Sequence, residues 1–216
     1  MLFEKERKTM CVFVKTMFDR MLTNAAGGNL SWKVDDSHFI MTASGLSSKY
    51  LWDIKPEQIL VVDKEFNVIE GEGKPTREIN MHHAMYQADE QLNAIVHAHP
   101  KELMVYATMG IDMPLVCENV GYLGKNLHCL EYHTATTVDL ANAVGNWTKE
   151  YSSEFYGKIK DVEDIKAYGL LLRRHGVIIG GESFFAASEM LERLETNAYV
   201  HLNSCMLESR GFEYRV

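Results

Sequence analysis

Two histidines separated by one residue, His97 and His99 in NAIVHAHP, close an apolar run just before a proline. In an extended chain, residues i and i+2 share a face. Both imidazoles therefore project together, and Ala98 projects the other way. Two neutral imidazoles so placed can reach one metal ion; two polar side chains at a strand end are the plainer alternative. A third histidine, His175 in RRHGV, sits where two apolar runs break at Gly176, which places it to face a pocket at a sheet end. Three histidines with open coordination positions suit a catalytic Zn²⁺ or a related divalent ion, although their spacing along the chain does not by itself establish a triad.

Glu78, in GKPTREINMHHAMYQ, opens a predicted helix soon after Pro75. A carboxylate at a helix N-terminus is electrostatically favourable in any protein; beside a metal it would serve as a general base. His82, one turn further on the same face, could orient that carboxylate or be an ordinary buried histidine. His83 points elsewhere and takes no role. Two loops of small residues, GGNLS and TASGL, offer backbone amides and short polar side chains that can cradle a phosphate without a Walker motif. With Thr76 and Arg77 they make three segments that could converge on an anion, though each alone is only a turn signal.

These residues need elements to position them. Met10, Phe13, Val14, Met17 and Met21 recur at helical intervals and predict an amphipathic helix over residues 3–23, with that stripe in the core. Strands are expected after the GGNLS turn and over 38–42, joined by a turn at Asp35-Asp36-Ser37. ASGLSS (43–48) reads as a loop, and ILVVD with FNVIE as a further hairpin. A helix is expected from about Thr76 to Gln87, then the NAIVHAH strand, then a helix over 100–109 with Pro100 in its first turn. Strand signals at 114–117 and 128–131 precede a long helix from about Thr136 to Tyr156. GLLLRRHGVIIGG predicts two strands broken at Arg174-His175-Gly176, and the last helix spans about Phe184–Ser209. The pattern predicts an α/β fold, a largely antiparallel sheet covered by helices, and one domain over residues 1–216.

Composition narrows the function classes. With 46% hydrophobic and 24% charged residues the chain can bury a sizeable core. A formal charge of −8, without any Lys/Arg run, argues against a nucleic-acid surface but permits an anionic small substrate in a local pocket. The N-terminal stretch mixes charges with apolar residues and predicts neither a signal peptide nor a membrane span. Cys11, Cys117, Cys129 and Cys205 lie far apart with no CxxC pair; free core thiols and a cytoplasmic location are expected.

Taken in order, GGNLS, TASGL, GKPTRE, IVHAHP and RRHG resemble the class II aldolase/adducin family, from about residue 5 to residue 205. The resemblance implies a three-layer α/β/α fold with a central antiparallel sheet. It implies that His97, His99 and His175 hold Zn²⁺ and that Glu78 is the acid/base carboxylate. It assigns phosphate binding to Gly28, Asn29, Ser44, Gly45, Thr76 and Arg77. The implied reaction is cleavage of a ketose 1-phosphate to dihydroxyacetone phosphate and an aldehyde, in a homotetramer with sites at subunit interfaces. Two departures stand out. Arg77 replaces a second small hydroxyl residue, and Glu118 falls about where the aldolases carry a tyrosine proton donor, with Tyr122 and Tyr214 as weaker substitutes. The same resemblance leaves a pentulose-5-phosphate 4-epimerase, a dehydratase and a non-catalytic adducin-like binding module as alternatives.

Overall fold

The computed structural model describes residues 1–159 and 165–212; the Tyr214 expectation lies outside them. Along the chain, α1 (Glu4–Asp19) leads to β1 (Asn29–Lys33), β2 (Phe39–Thr42), α2 (Leu46–Tyr50), β3 (Ile59–Val62) and β4 (Val68–Glu70). Then come α3 (Ile79–Ala88), β5 (Ala94–Ala98), α4 (Lys101–Met109), β6 (Met113–Pro114), β7 (Asn126–Leu127) and β8 (Cys129–Leu130). The chain continues through α5 (Val138–Lys158), β9 (Ala167–Leu172), β10 (Gly176–Gly181) and α6 (Phe184–Glu208).

Eight strands form one sheet in the order β4-β3-β2-β1-β5-β10-β9-β8. Its pairs are antiparallel from β4 to β9, and β8 joins β9 in parallel. Every residue of β5, β9 and β10 is buried. Unbroken apolar runs of this kind need cover on both faces, and the glycines of β10 show what supplies it. A Cβ on Gly180 would meet Met85 of α3, whereas one on Gly181 would meet Ala187 of α6. Adjacent residues point to opposite faces, so α3, with α5 packed on it, covers one face and α6 covers the other. The strand β1 obeys the same alternation. Trp32 stacks on Phe184 of α6 with ring centroids 4.8 Å apart, while Ser31 meets His82 of α3.

The departures from expectation have local causes. The helix α1 stops at Asp19 because Arg20 and Met21 leave the helical region, Met21 with φ 60°, so Met21 is exposed rather than in the core stripe. The expected loop at 43–48 turns into α2 at Leu46, after Gly45 at φ 80°. Expected strands at 114–117 and 128–131 shrink to two residues each, β6 pairing with β7 outside the main sheet. The helix α5 begins two residues late, since Thr137 is its N-cap and accepts the Leu140 N–H at 3.3 Å. The four cysteines are free, but Cys205 is exposed on α6 and not a core thiol. Among the described residues no helix is long and apolar enough to cross a membrane.

The helix α3, which carries Glu78 at its start, is anchored at its other end by Asp89. One buried carboxylate oxygen accepts the hydroxyls of Tyr156 from α5 at 3.0 Å and Tyr168 from β9 at 2.8 Å, and the other accepts the Gln91 N–H. Removing it strands two tyrosine hydroxyls, each worth roughly 1–3 kcal/mol when left unpaired in the interior. Asp89→Ala is therefore expected to lower unfolding free energy by about 2–4 kcal/mol; a chemical-denaturation midpoint equal to the parent's would show that α3 is held by something else.

Candidate active site

The site forms where β5, the β9–β10 turn and the start of α3 meet. His97 is the penultimate residue of the fully buried β5, and its Nδ1–H donates to the Val177 carbonyl at 2.9 Å. That bond fixes the tautomer and leaves the Nε2 lone pair for a ligand. His99 follows after Ala98, with Nε2 only 3.1 Å from Nε2 of His97. Its ring fits between two glycines: a Cβ on Gly27 would lie 2.7 Å from His99 Cε1, and one on Gly176 would lie 2.6 Å from Cδ2. His175 sits in the three-residue turn joining β9 to β10, where Arg174 takes a φ of 60° and the His175 N–H donates to the Leu172 carbonyl at 2.9 Å.

Glu78 completes the cluster. It occupies the N-cap position of α3 yet makes no capping bond, so helix-end electrostatics do not explain where its side chain goes. The carboxylate turns inward, Oε2 lying 3.2 Å from His97 Nε2 and Oε1 3.1 Å from His175 Nε2. Asn29 donates Nδ2–H to Oε2 at 2.8 Å. Burial alone would push this carboxyl up, but His97, His175 and the Asn29 bond outweigh it and hold the group well below the usual carboxylate range. Burial pulls the imidazoles down: His97 to about 4 and His99 to about 3, with charge on neighbouring imidazoles adding to it. Neutral imidazoles are the form that binds metal.

The ligand atoms of the three histidines lie within 4.8 Å of one another. Glu78 Oε1 and His175 Nδ1 are buried without a hydrogen-bond partner among the described residues. An orphaned carboxylate oxygen 3.1 Å from His175 Nε2, in a cluster of converging imidazole nitrogens, fits a bound cation, and nitrogen with carboxylate oxygen is the donor set of a divalent transition ion.

A cavity of about 260 Å³ opens above the cluster. All six expected anion-binding residues line it, Gly28, Asn29, Ser44, Gly45, Thr76 and Arg77, together with Glu78, His99 and His175. The Ser44 backbone N–H is already used, donating to the Lys74 carbonyl at 2.8 Å, so Ser44 offers its hydroxyl. Thr76 Oγ1 accepts the Glu78 N–H at 3.3 Å. Sequence reasoning missed Trp52 and Thr136, which also line the cavity. Both take positive φ, 61° and 67°, uncommon for such bulky side chains and for a β-branched residue an outlier. Residue type alone carries no signal for them.

Glu118 is not brought to this cavity. It is exposed, at the start of a 3₁₀ turn spanning Glu118–Leu123. The Tyr122 hydroxyl donates to the Ile165 carbonyl at 2.8 Å and does not line the cavity. His83, given no role, contacts the ring of Phe66.

A family model described as the class II aldolase and adducin N-terminal domain matches residues 8–202, and the chain belongs to that family. A 5-deoxy-D-ribulose 1-phosphate aldolase from Bacillus thuringiensis serovar kurstaki is 32% identical over 202 residues, 93% of this chain and 86% of the relative. A 3-oxo-tetronate 4-phosphate decarboxylase from Haemophilus influenzae is 26% identical over 199 residues, 89% and 85% of the two chains. A solved L-fuculose 1-phosphate aldolase matches with a TM-score of 0.78 at 26% identity, covering all of this chain and 92% of the other.

The buried histidines predict acid lability of the metal-free protein. His82, also wholly buried and held at about 4, joins His97 and His99 below the ordinary value of 6.5. Between about 6.5 and 4 the unfolded chain binds more protons than the folded one, so stability is full above this window and falls as pH drops through it. Glu78 acts in the same sense, its contribution present above 4.5 and lost at lower pH. The urea midpoint of chelator-treated protein should decrease from about pH 7 to about pH 5; a flat or rising midpoint would contradict these burials.

Proposed function

We propose that this protein is a Zn²⁺-dependent aldolase that reversibly cleaves a ketose 1-phosphate to dihydroxyacetone phosphate and an aldehyde. The observation that carries the reading is a carboxylate set among three imidazoles beneath a cavity whose rim offers hydroxyls, a glycine turn and a guanidinium. The names of two relatives support it, both aldolases acting on sugar 1-phosphates.

In this reading His97, His99 and His175 hold the ion. When bound, it supplies Lewis acidity that stabilises negative charge on the ketone and adjacent hydroxyl oxygens. Gly28, Asn29, Ser44, Gly45, Thr76 and Arg77 hold the phosphate, Arg77 adding a planar, always charged donor set. With the phosphate anchored, the reacting carbon is brought to Glu78. In the condensation direction the Glu78 carboxylate takes a proton from the carbon beside the ketone, and that carbon then attacks the aldehyde. A second group gives a proton to the aldehyde oxygen. Cleavage runs the same steps backwards, Glu78 returning its proton to carbon.

Glu118 suits the second role only if a neighbouring subunit presents it, since in its own chain it lies outside the cavity. We place it there, in a cytoplasmic homotetramer whose sites fall at heterologous interfaces that close into a ring. The decarboxylase relative favours a second reading, in which the same residues stabilise the charge left by departing CO₂.

An assay of phosphorylated ketoses for dihydroxyacetone phosphate release, with CO₂ release followed in parallel on 3-oxo acid phosphates, tests the proposal. Turnover of a ketose 1-phosphate but not of the free sugar is expected, and Glu78→Gln should lower kcat by about 10²–10⁴-fold. CO₂ release without dihydroxyacetone phosphate would overturn the aldolase reading in favour of the decarboxylase. A Glu78→Gln variant within a few-fold of the parent would move the proton transfer elsewhere.

A further inference from the structure

The strand β1 and the helix α3 face one another with nearly matching repeats. Two residues of strand advance about 6.8 Å and four residues of helix about 6 Å, so Asn29 and Ser31 stay level with Glu78, His82 and Tyr86. The contacts run without a gap. Tyr86 Oη is 2.9 Å from Ser31 Oγ, and Ser31 Oγ is 2.7 Å from His82 Nδ1. His82 Nε2 is 2.6 Å from Asn29 Oδ1, and Asn29 Nδ2 is 2.8 Å from Glu78 Oε2. Ser31 and His82 are wholly buried, and Asn29 is only 5% exposed.

The direction of every bond follows from the end of the chain. A carboxylate only accepts, so the amide must turn its NH₂ end to Glu78 and its carbonyl to His82. His82 must then carry its proton on Nε2, which makes Nδ1 an acceptor for the Ser31 hydroxyl. Ser31 in turn accepts from Tyr86. Burial keeps the imidazole neutral, so a single proton fixes its tautomer. Were Asn29 to flip, its carbonyl would oppose the Glu78 carboxylate. Asn29 lines the cavity, and its second Nδ2 proton is not used on Glu78.

We propose that His82 is a positioning residue, which through its Nε2–H locks the Asn29 amide so that one proton steers Glu78 and the other meets the substrate's anionic group. Ser31 and Tyr86 hold the tautomer that does this. The proposal rests on the reading of Glu78 and of the anion cavity given above, but it makes a claim that stands apart from turnover.

The test uses the metal-loaded full chain. Nitrogen-15 NMR of labelled histidines in the parent should show His82 neutral with its proton on Nε2; a proton on Nδ1 would overturn the proposal whatever the enzyme does. His82→Leu should keep one metal per chain, lose about 10–100-fold in kcat and bind inorganic phosphate several-fold more weakly. His82→Gln, whose amide can donate to Asn29 Oδ1, should recover most of both losses. A residue serving only to fill the core would give a Leu variant at least as active as the Gln variant, and that result would also overturn the proposal. In an Asn29→Ala background His82→Leu should add little, because coupled residues are non-additive; full additivity would show that His82 does not act through Asn29. If the parent cleaves no ketose phosphate, the aldolase reading fails alone, and the tautomer with phosphate titration still decides the positioning claim.

Discussion

Beneath the cavity a carboxylate and three imidazoles crowd to 3.1–3.2 Å, several of their lone pairs facing one another. Left to themselves these groups would separate or protonate, because a buried polar atom without a partner costs free energy. They are held by surrounding backbone instead. His97 is tied to Val177, His99 is hemmed between Gly27 and Gly176, His175 is set by a tight turn, and Glu78 is fixed where α3 begins. The fold holds an unfavourable convergence that a bound cation would relieve, and the rest of the site is arranged around that point.

Two periodicities make the arrangement possible. The two-residue repeat of β1 sends Leu30 and Trp32 into the apolar layer under α6, and Asn29 and Ser31 toward α3. The four-residue repeat of α3 answers with Glu78, His82 and Tyr86. A polar seam thus runs between sheet and helix inside an otherwise apolar layer, and each member has a partner. Such a seam is costly if broken and rigid when complete, which suits a carboxylate that must keep its place while exchanging a proton. Asp89 does for the far end of α3 what this seam does for the near end.

Much of this was legible in the residues. The His-x-His pair at a strand end, His175 at a break between apolar runs, and Glu78 ahead of a helical pattern gave the cluster its members. The three small-residue and Thr-Arg segments gave the cavity rim. Helix and strand types followed from hydrophobic period, as in the Met10–Met17 stripe. What was not legible depends on tertiary placement. Trp52 and Thr136 reach the cavity through unusual backbone angles that no residue type announces. Two-residue strands such as β6 and β8 exist only because a neighbour pairs with them. Glu118 matches a motif position yet lies on the outer surface of its own chain, a matter that local pattern cannot decide. His82 was placed on the right face by helical spacing, but its partner proved to be Asn29, visible only once β1 and α3 are packed together.

The central claim is that the convergence of Glu78, His97, His99 and His175 is a cation site. Calorimetric titration of chelator-treated protein with Zn²⁺, paired with thermal unfolding, addresses it most directly. The account predicts saturable uptake of one ion per chain with a rise in Tm, since a ligand that binds only the folded state stabilises it. It also predicts loss of both effects when His97, His99 and His175 are all replaced by Ala. No saturable uptake by the parent, or equal uptake by the triple variant, would contradict it.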